Sequence, residues 1–290
     1  MLDIKLIREN PEGVKKGIAR KGADTGLVDK VLDADKKRRS IIQEVESLKA
    51  KINTVSSRVA AMKKEGKDAS AVIAEMKTVS DRIKSLDADL AASEAEMNAP
   101  AMLLPNIPDA SVPDGKDSSG NREILQWGRK PEFGFTPKTH WEIAEHLGIL
   151  DNERAAKVTG ARFVFYRGMG ALLERALINF MLDIQTRENG YEEIMPPILV
   201  NRDSMTGTGQ LPKFEDDSFR LSDPDYFLIP TAEVPVTNLH KDEILKEQSL
   251  PLCYAAYTPC FRKEAGAHGK DMKGIVRMHQ FNKVELVKFT

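Results

Sequence analysis

The first hundred residues contain two runs of apolar residues that alternate in steps of three and four. Two helices supercoil around each other when apolar positions recur every 3.5 residues, so each run is typical of a coiled-coil seam. Arg38 interrupts the first run, and Ser93 occupies one apolar slot of the second. The first run comprises Val31, Ala34, Ile41, Val45, Leu48, Ile52, Val55, Val59 and Met62, and the second comprises Val72, Met76, Val79, Ile83, Leu86, Leu90 and Met97.

The two runs are separated by the short polar stretch KKEGKDAS, which contains Gly66. A short polar connection between long helices favours an antiparallel pair, so the sequence predicts a helical hairpin over about 27–97. At about 1.5 Å per residue this hairpin is expected to project roughly 45–55 Å. Residues Leu2 to Arg20 are expected to form a small helical cap at its base. The whole helical arm is assigned to residues 1–105.

The predicted tip of the arm is locally basic, although the chain as a whole has a net charge of only -1. Between residues 49 and 67 the only acidic residue is Glu65, and no aromatic side chain is present on which a base could stack. Such a tip suits the phosphates and shape of an RNA duplex. A dimerisation element, a spacer or a solvated helix face remains an open alternative. The basic residues are Lys49, Lys51, Arg58, Lys63, Lys64 and Lys67.

The composition changes after the arm. All aromatic residues, both cysteines and all five histidines lie from Trp127 onward. The stretch from Pro100 to about Lys130 is rich in Pro, Gly, Asp and Ser, which indicates a linker, and its bounds are placed at 106–130. Residues 131–290 then form the second domain, in which helical and strand patterns mix. The predicted fold class is α+β, with a helical arm followed by an antiparallel sheet domain flanked by helices.

Several classes of protein are excluded by simple features. No apolar run approaches the roughly 18 residues that a membrane span requires, and the start MLDIKLIREN lacks the apolar stretch of a signal peptide, so we expect a cytoplasmic protein without a membrane partner. Cys253 and Cys260 match no common zinc spacing and are expected to be reduced, buried thiols. The histidines show no HExxH-like spacing, so no metal site is predicted in these residues. Neither GMGALLER nor TGTGQLPKF is a P-loop or Rossmann loop.

Secondary-structure signals in the second domain are strongest at two places. Leu173, Leu177 and Ile184 belong to an amphipathic helix that Gly190 is expected to end, and residues 191–194 are expected to form a strand closed by two prolines. Tyr254 to Glu264 and Val276 to Phe289 are predicted to pair as a long antiparallel hairpin around the glycine-rich segment AGAHGKDMKGI.

Alternation along these strands predicts which side chains share a face. Arg262 and Glu264 are expected on one face, and Thr231 shares a face with Glu233 in the segment TAEVP. Val284 and Leu286 are expected to face a core. The exposed floor would carry guanidiniums for a triphosphate, a phenyl ring for a purine and carboxylates for an ammonium or hydroxyl. From alternation alone, the ordinary polar side of a half-buried sheet remains an alternative. On the returning strand the shared face carries Arg277, Phe281 and Glu285.

Four segments of the sequence resemble signatures of the bacterial type of seryl-tRNA synthetase, a class II aminoacyl-tRNA synthetase. FRKEAGAHGKDMKGIVRMHQFNKVEL is similar to motif 2 of that family, and GARFVFYRGMGALLERALINFMLDIQTRENGYEEIMPP is similar to motif 1, which forms much of the family's dimer interface. TGTGQLPKF and TAEVPVTNL resemble further signatures, the second being the serine-binding TxE element. The helical hairpin resembles the family's tRNA-binding arm.

The resemblance implies an enzyme that uses ATP to activate L-serine to seryl-adenylate and transfers it to tRNA(Ser), and by family resemblance also to tRNA(Sec). Arg262 and Glu264 are the implied catalytic residues, Arg262 at the α-phosphate and Glu264 at the adenine amino group. Phe281 is implied to stack on adenine, and a homodimer through motif 1 is implied. The implied ATP-binding set is Arg262, Lys263, Glu264, Arg277, Met278 and Phe281, and the implied serine-binding set is Thr231, Ala232, Glu233 and Glu285.

The resemblance also implies elements that do not appear before Thr290. The family's motif 3 and the residues expected to bind Mg²⁺ have no counterpart in the printed sequence, so we expect these 290 residues by themselves to be inactive in aminoacylation. One alternative is a non-catalytic or redirected synthetase paralogue that binds tRNA through the arm. A purely structural coiled-coil dimeriser is a further alternative, and the basic tip and the density of motifs argue against it.

Overall fold

The computed structural model describes residues 1–264 and 274–290, and the side chain of Ala60 is not described. The described chain separates into two compact units, Met1–Trp127 and Gly128–Thr290. In the part of the chain described, no helix is both long enough and apolar enough to cross a membrane.

Long helices dominate the first unit and confirm the predicted antiparallel hairpin. The turn between the two long helices contains Gly66, whose φ of +69° is in the left-handed region that glycine adopts without strain. The short helices at the start form the predicted cap. The helices of this unit are α1 (Ile4–Glu9), α2 (Pro11–Ala19), α3 (Gly26–Lys64) and α4 (Ser70–Leu103).

The seam of the hairpin is built from the apolar positions that the heptad pattern identifies. Val45 of α3 packs with Val79, Ile83 and Leu86 of α4, and all four side chains are buried. Ser93 is also fully buried, and its hydroxyl donates to the carbonyl of Ala34 at 3.3 Å. A serine therefore occupies an apolar slot because its polar group has a partner on the facing helix.

At the base of the arm, α1 and α2 pack on the ends of the long helices. The helix α4 continues through Pro100 to Leu103, beyond the predicted end of the hairpin near residue 97 and within the predicted arm of residues 1–105. The helix persists because Ala101 and the following Leu104 are buried among Ile7 and the other apolar residues of the base, and this packing offsets the hydrogen bond that proline lacks. A buried Asp35 lies 3.0 Å from Arg8 of α1 and 3.1 Å from Arg39.

The second unit contains short strands and helices around one long hairpin. Its helices are α5 (His140–Leu147), α6 (Asn152–Thr159), α7 (Met169–Arg187), α8 (Arg202–Gly207) and α9 (Glu233–Thr237). Its strands are β1 (Leu150–Asp151), β2 (Phe165–Tyr166), β3 (Glu192–Glu193), β4 (Leu199–Asn201), β5 (Arg220–Leu221), β6 (Tyr226–Leu228), β7 (Leu252–Phe261) and β8 (Gln280–Phe289).

Three sheets connect these strands. β7 lies between β3, with which it pairs in parallel, and β8, with which it pairs antiparallel from Leu252↔Phe289 to Phe261↔Gln280. β6 lies between β4 and β5 in an antiparallel sheet, and β1 pairs with β2. The predicted α+β architecture is confirmed. The predicted glycine-rich connection of the long hairpin falls largely on residues 265–273, which lie outside the described residues.

The two strands of the long hairpin are shorter at the loop end than the sequence predicts. They end at Phe261 and begin at Gln280, so the predicted strand residues 262–264 and 276–279 are not in β7 or β8. The backbone leaves the ladder because the N–H of Lys263 donates to the backbone carbonyl of Asp217 at 2.8 Å and Glu264 has a left-handed φ of +50°. The expectation that Arg262 and Glu264 share a strand face is therefore wrong.

The segment TAEVP forms a helix start instead of an extended run with alternating faces. Glu233 is the first residue of α9, while Thr231 lies before it and is buried. Pro235 is tolerated because the first N–H groups of a helix have no intrahelical partner. The burial of Val234 and Val236 stabilises the short helix.

Both faces of β8 are partly covered: the predicted core residue Val284 is half-buried, and Asn282 on the same face donates to Glu174 of α7. Val287 and Phe289 pack on a buried cluster that includes Val236 and Tyr254, and alternation places Phe281 and Glu285 on that same face. Leu286, predicted to face a core, is 40% exposed. It lies about 13 Å along the strand from Asn282, where α7 contacts β8.

The predicted amphipathic helix is confirmed as α7, but its apolar residues remain accessible within the single chain. Leu173 is 57% exposed and Phe180 is 61% exposed. The two cysteines are both free thiols; Cys260 is buried as predicted, whereas Cys253 is only half-buried. Burial raises the pKa of the Cys260 thiol, which keeps it protonated and unreactive.

Candidate active site

Three segments meet at one end of the long hairpin. The first comprises residues 229–232, between β6 and α9. The second comprises residues 262–264, which follow β7. The third runs from residue 274 into the first half of β8. Phe261 donates its N–H to Ile229 at 2.9 Å, which joins the first two segments, and Arg262 donates its N–H to His279 at 2.9 Å, which joins the last two.

Arg262 is aimed across this junction. Its Nε donates to the carbonyl of Pro230 at 3.2 Å, and its guanidinium carbon lies 5.2 Å from the ring centroid of Phe281. The guanidinium is thus bonded to the residue that precedes Thr231 and lies within cation–π distance of the Phe281 ring. A charge-assisted donor held in this way suits a phosphate oxygen, because the side chain is ordered before a ligand arrives.

A polar cluster lies next to Arg262. The hydroxyl of Thr231 donates to Glu285 at 2.7 Å and accepts from the ammonium of Lys283 at 2.9 Å. Lys283 also forms a close ion pair with Glu285. The backbone N–H of Glu233 donates to the Thr231 hydroxyl at 3.3 Å, while the carboxylate of Glu233 belongs to an exposed residue. The cluster brings a hydroxyl, a carboxylate and an ammonium together, and Glu233 joins it through its backbone N–H.

The remaining predicted ATP-binding residues lie along the loop end of the hairpin. Glu264 and Arg277 form an ion pair at 3.3 Å, with side chains 21% and 46% exposed. Met278 is buried, and Lys263 is exposed with its ammonium 5.9 Å from the ring of Phe219. The fold thus brings Glu264 and Arg277 together in one pair and Arg262 and Phe281 in another.

The serine-binding candidates are not equivalent in their surroundings. Thr231 and Glu285 contact each other directly, whereas Ala232 is fully buried and presents no side-chain polar group. Glu233 contributes its backbone N–H to Thr231 and leaves its carboxylate accessible.

The predicted RNA-binding residues of the first unit lie on α3 and in the turn that follows it. All six are exposed. Lys51 pairs with Glu75 of α4 at 2.7 Å, and Lys67 pairs with Glu65 at 2.7 Å. These two cations are partly neutralised by neighbours, so the basic surface centres on the remaining members, which are Lys49, Arg58, Lys63 and Lys64.

Lys283 is a site residue that the sequence analysis missed. It lies between Phe281 and Glu285 on the same face of β8, where alternation by two identifies it once the strand is known. Its ammonium compensates the charge of Glu285, which has a side chain only 19% exposed. A carboxylate so enclosed is costly without a cation beside it.

Across 1–264 and 274–290, no three His, Cys, Asp or Glu side chains cluster in a way that could hold a metal ion.

A hairpin of long helices, followed by a domain with a long antiparallel β-hairpin and flanking helices, is the architecture of a class II aminoacyl-tRNA synthetase core with an attached arm. Family models agree: residues 1–108 match the seryl-tRNA synthetase N-terminal domain, and residues 213–290 match the tRNA synthetase class II core domain (G, H, P, S and T). The chain belongs to the seryl-tRNA synthetase family.

Similar proteins support this placement. The serine–tRNA ligase of Carboxydothermus hydrogenoformans is 56% identical over 289 residues, which cover all of this chain and 68% of that protein. The serine–tRNA ligase of Listeria innocua is 54% identical with the same coverage. The solved structure of seryl-tRNA synthetase from Pyrococcus horikoshii complexed with ATP matches with a TM-score of 0.86 and 37% identity, covering 99% of this chain and 69% of that one. Cytoplasmic serine–tRNA ligase from Naegleria fowleri in complex with AMP matches with a TM-score of 0.79, 28% identity and coverage of 99% and 70%.

Proposed function

We propose that this chain carries ATP-binding and serine-binding residues of the active site of a serine–tRNA ligase. In the first step a carboxylate oxygen of L-serine attacks the α-phosphorus of ATP, the bond to the bridging oxygen of the β-phosphate breaks, and pyrophosphate leaves. Seryl-adenylate then passes its seryl group to a terminal ribose hydroxyl of tRNA(Ser) and releases AMP. The observation that carries the proposal is the anchoring of Arg262 on Pro230, directly beside Thr231 and Glu285.

The proposed ATP-binding roles follow from the two side-chain pairs at the hairpin, Arg262 with Phe281 and Glu264 with Arg277. Arg262 neutralises the α-phosphate as negative charge builds on the five-coordinate phosphorus, and a fixed guanidinium lowers that barrier without reorganising. Phe281 presents a ring face on which adenine stacks. Glu264 takes the adenine amino group, and the adjacent Arg277 binds phosphate. The ATP held by the Pyrococcus relative supports ATP as the nucleotide.

Serine is assigned to the polar cluster. The accessible carboxylate of Glu233 suits the ammonium group, whereas Glu285 is already paired with Lys283 and Thr231 and suits the hydroxyl. A pocket whose polar groups are left unpaired by alanine rejects that analogue by about 10⁴-fold or more. Ala232 contributes backbone to the same segment.

Mg²⁺ is proposed to bind together with ATP. Mg²⁺ is generally held by phosphate oxygens with one or two carboxylates and several waters. Among the described residues no cluster of metal ligands is present, so Mg²⁺ would be held here mainly by the phosphate oxygens of ATP.

The proposed tRNA partner is assigned to the arm. The exposed basic residues at the end of α3 and in its turn suit the phosphates of a duplex. A homodimer is proposed through α7, because this helix of the motif 1 segment exposes apolar side chains that a second copy of the chain would cover.

Serine-dependent ATP–pyrophosphate exchange tests the catalytic proposal. It is measured for this chain and for a chimera in which the remaining third of the Carboxydothermus ligase follows Thr290. We expect exchange by the chimera and none by the 290 residues alone. Arg262→Ala is expected to reduce exchange by about 10²–10³-fold, since it removes a charge aimed at the transition state.

Arg220→Ala in the same unit is the matched control, since the Arg220 guanidinium pairs with Asp225 and Glu215 and is not part of the polar cluster. Exchange with threonine or alanine equal to that with serine would exclude the substrate assignment. A chimera that binds tRNA and folds, yet exchanges with no amino acid, would favour the redirected paralogue.

A further inference from the structure

We propose that His279 and Arg162 are positioning residues that hold the backbone of residues 262–264 in the geometry that ATP requires. The functional part of this inference rests on the proposed function, because Arg262 and Glu264 matter there as ATP-binding groups. Neither His279 nor Arg162 is proposed to touch the nucleotide.

His279 is bonded to Arg262 in two ways. Its backbone carbonyl accepts from the N–H of Arg262 at 2.9 Å, and its ring Nδ1 lies 2.9 Å from the Arg262 carbonyl. A carbonyl can only accept, so Nδ1 carries the hydrogen in this contact. The ring is packed by two aromatic neighbours, with centroids 5.4 Å from Phe163 and 5.9 Å from Phe219.

Arg162 holds the next two carbonyls. One nitrogen of its guanidinium lies 3.2 Å from the carbonyl of Glu264 and 3.5 Å from that of Lys263. Its own carbonyl accepts from the N–H of His279 at 3.0 Å, which links the two positioning residues. Arg162 has a left-handed φ of +65°, an uncommon conformation for a residue with a side chain.

These contacts occur where the hairpin ladder has ended. Residues 262–264 follow β7, and three successive carbonyls there are met by side chains from two other segments. The position of the Arg262 side chain depends on this backbone, and a misplacement of about 1 Å can cost as much as 10²-fold in rate. The strain at Arg162 is consistent with a conformation that the surrounding contacts impose.

The tautomer of His279 is the first test and needs no activity. The chain is labelled with ¹⁵N-histidine, and the ring nitrogens are read by long-range ¹H–¹⁵N correlation at about pH 8.5, where histidines are in general neutral. The His279 signals are those that disappear in His279→Asn. We expect the hydrogen on Nδ1. A hydrogen on Nε2 would overturn the proposal, because that ring could not donate to Arg262.

A pair of substitutions provides the second test. The amide of asparagine places a donor near the position of Nδ1, whereas glutamine places one near Nε2. His279→Asn is therefore expected to retain ATP affinity within about fivefold, and His279→Gln to lose about tenfold or more. Hydrogen exchange of the peptide 258–264 is expected to accelerate in His279→Gln and to stay near the parent rate in His279→Asn. His146→Gln, on the exposed face of α5, is the control.

Equal behaviour of the asparagine and glutamine variants would mean that the ring only fills space, and the proposal would fail. If both substitutions prevent folding, Arg162→Lys keeps the charge, loses the planar fork and decides the question through the exchange rate of peptide 258–264. If the parent chain and the chimera bind no ATP, the proposed function fails. The tautomer and the hydrogen-exchange rates still decide whether these residues hold the loop.

Discussion

Gly274 combines two constraints at one residue. Its φ is +79°, and a Cβ built on it would lie 2.0 Å from Nε2 of His140. The same nitrogen accepts from the N–H of Ile275 at 3.1 Å, so the imidazole cannot move away without losing that bond. Glycine is therefore required on both conformational and steric grounds.

We predict that Gly274→Ala lowers the free energy of unfolding of the second unit by about 2–3 kcal/mol, of which about 1–2 come from the left-handed φ and about 1 from the displaced hydrogen bond. Urea unfolding followed by tryptophan fluorescence reports this unit through Trp141, whose ring centroid lies 5.0 Å from that of His140. The other tryptophan, Trp127, is 94% exposed, so its surroundings change little on unfolding. Gly190→Ala is the matched control, since Gly190 has a φ of +72° and open space around it. Equal losses in the two variants would mean that contact with His140 contributes nothing.

Some residues of the candidate site could be identified from the sequence, and others could not. Phe281, Glu285 and the motif residues around them were identified from the sequence, and their roles stay predictions. Lys283 and His279 were missed, although they lie within the same motif, because their importance comes from partners in other segments. Those partners are Thr231 and Arg262, and no local pattern in the sequence pairs them.

The arm is the element whose structure the sequence determines most fully. Its two apolar runs, its polar turn and the buried Ser93 are all visible as a repeat, since a coiled coil makes its contacts at regular local spacing. The Asp35 contacts at its base, and the continuation of α4 through Pro100, depend on packing against α1 and α2 and were not foreseen.

We predict that Lys63→Gln combined with Lys64→Gln weakens binding of tRNA(Ser) about tenfold or more. The slope of log K against log salt concentration should fall by about 2, because two phosphate contacts are lost. Filter binding at several salt concentrations measures both quantities. The matched control is Lys30→Gln with Lys36→Gln, which removes the same charge from exposed positions near the other end of α3.

An equal loss in the control pair would show that the arm attracts RNA through overall charge. The localised tip would then be the wrong assignment, whereas an unchanged affinity in both pairs would remove the arm from the proposed tRNA interface.

At the scale of the whole molecule, α7 leaves an apolar face uncovered within one chain. Leu173, Leu177 and Phe180 are 57%, 46% and 61% exposed, although all lie on a well-formed helix of nineteen residues. Exposed apolar surface of this extent is characteristic of a site where another protein surface packs.

We predict that the chain is a dimer and that Leu177→Asp makes it monomeric, because a carboxylate would be buried without a partner in the interface. Light scattering after gel filtration over a tenfold or greater range of protein concentration measures the mass. Val158→Asp is the control, since Val158 is 71% exposed on α6 and its substitution should leave the mass unchanged. A parent chain that remains monomeric throughout this range would refute the assignment of α7.

The sequence by itself determined the helical arm, the α+β class and the family, because these depend on local periodicity and on short motifs that are legible in order along the chain. The tertiary structure alone decided where β7 and β8 end, that TAEVP begins a helix, and that Val287 and Phe289 of β8 pack on a buried cluster. Each of those outcomes depends on a partner distant in sequence. The N–H of Lys263 bonds to the carbonyl of Asp217 instead of continuing the ladder. Thr231 contacts Lys283 and Glu285 only because the segment before α9 packs against β8 in the folded chain.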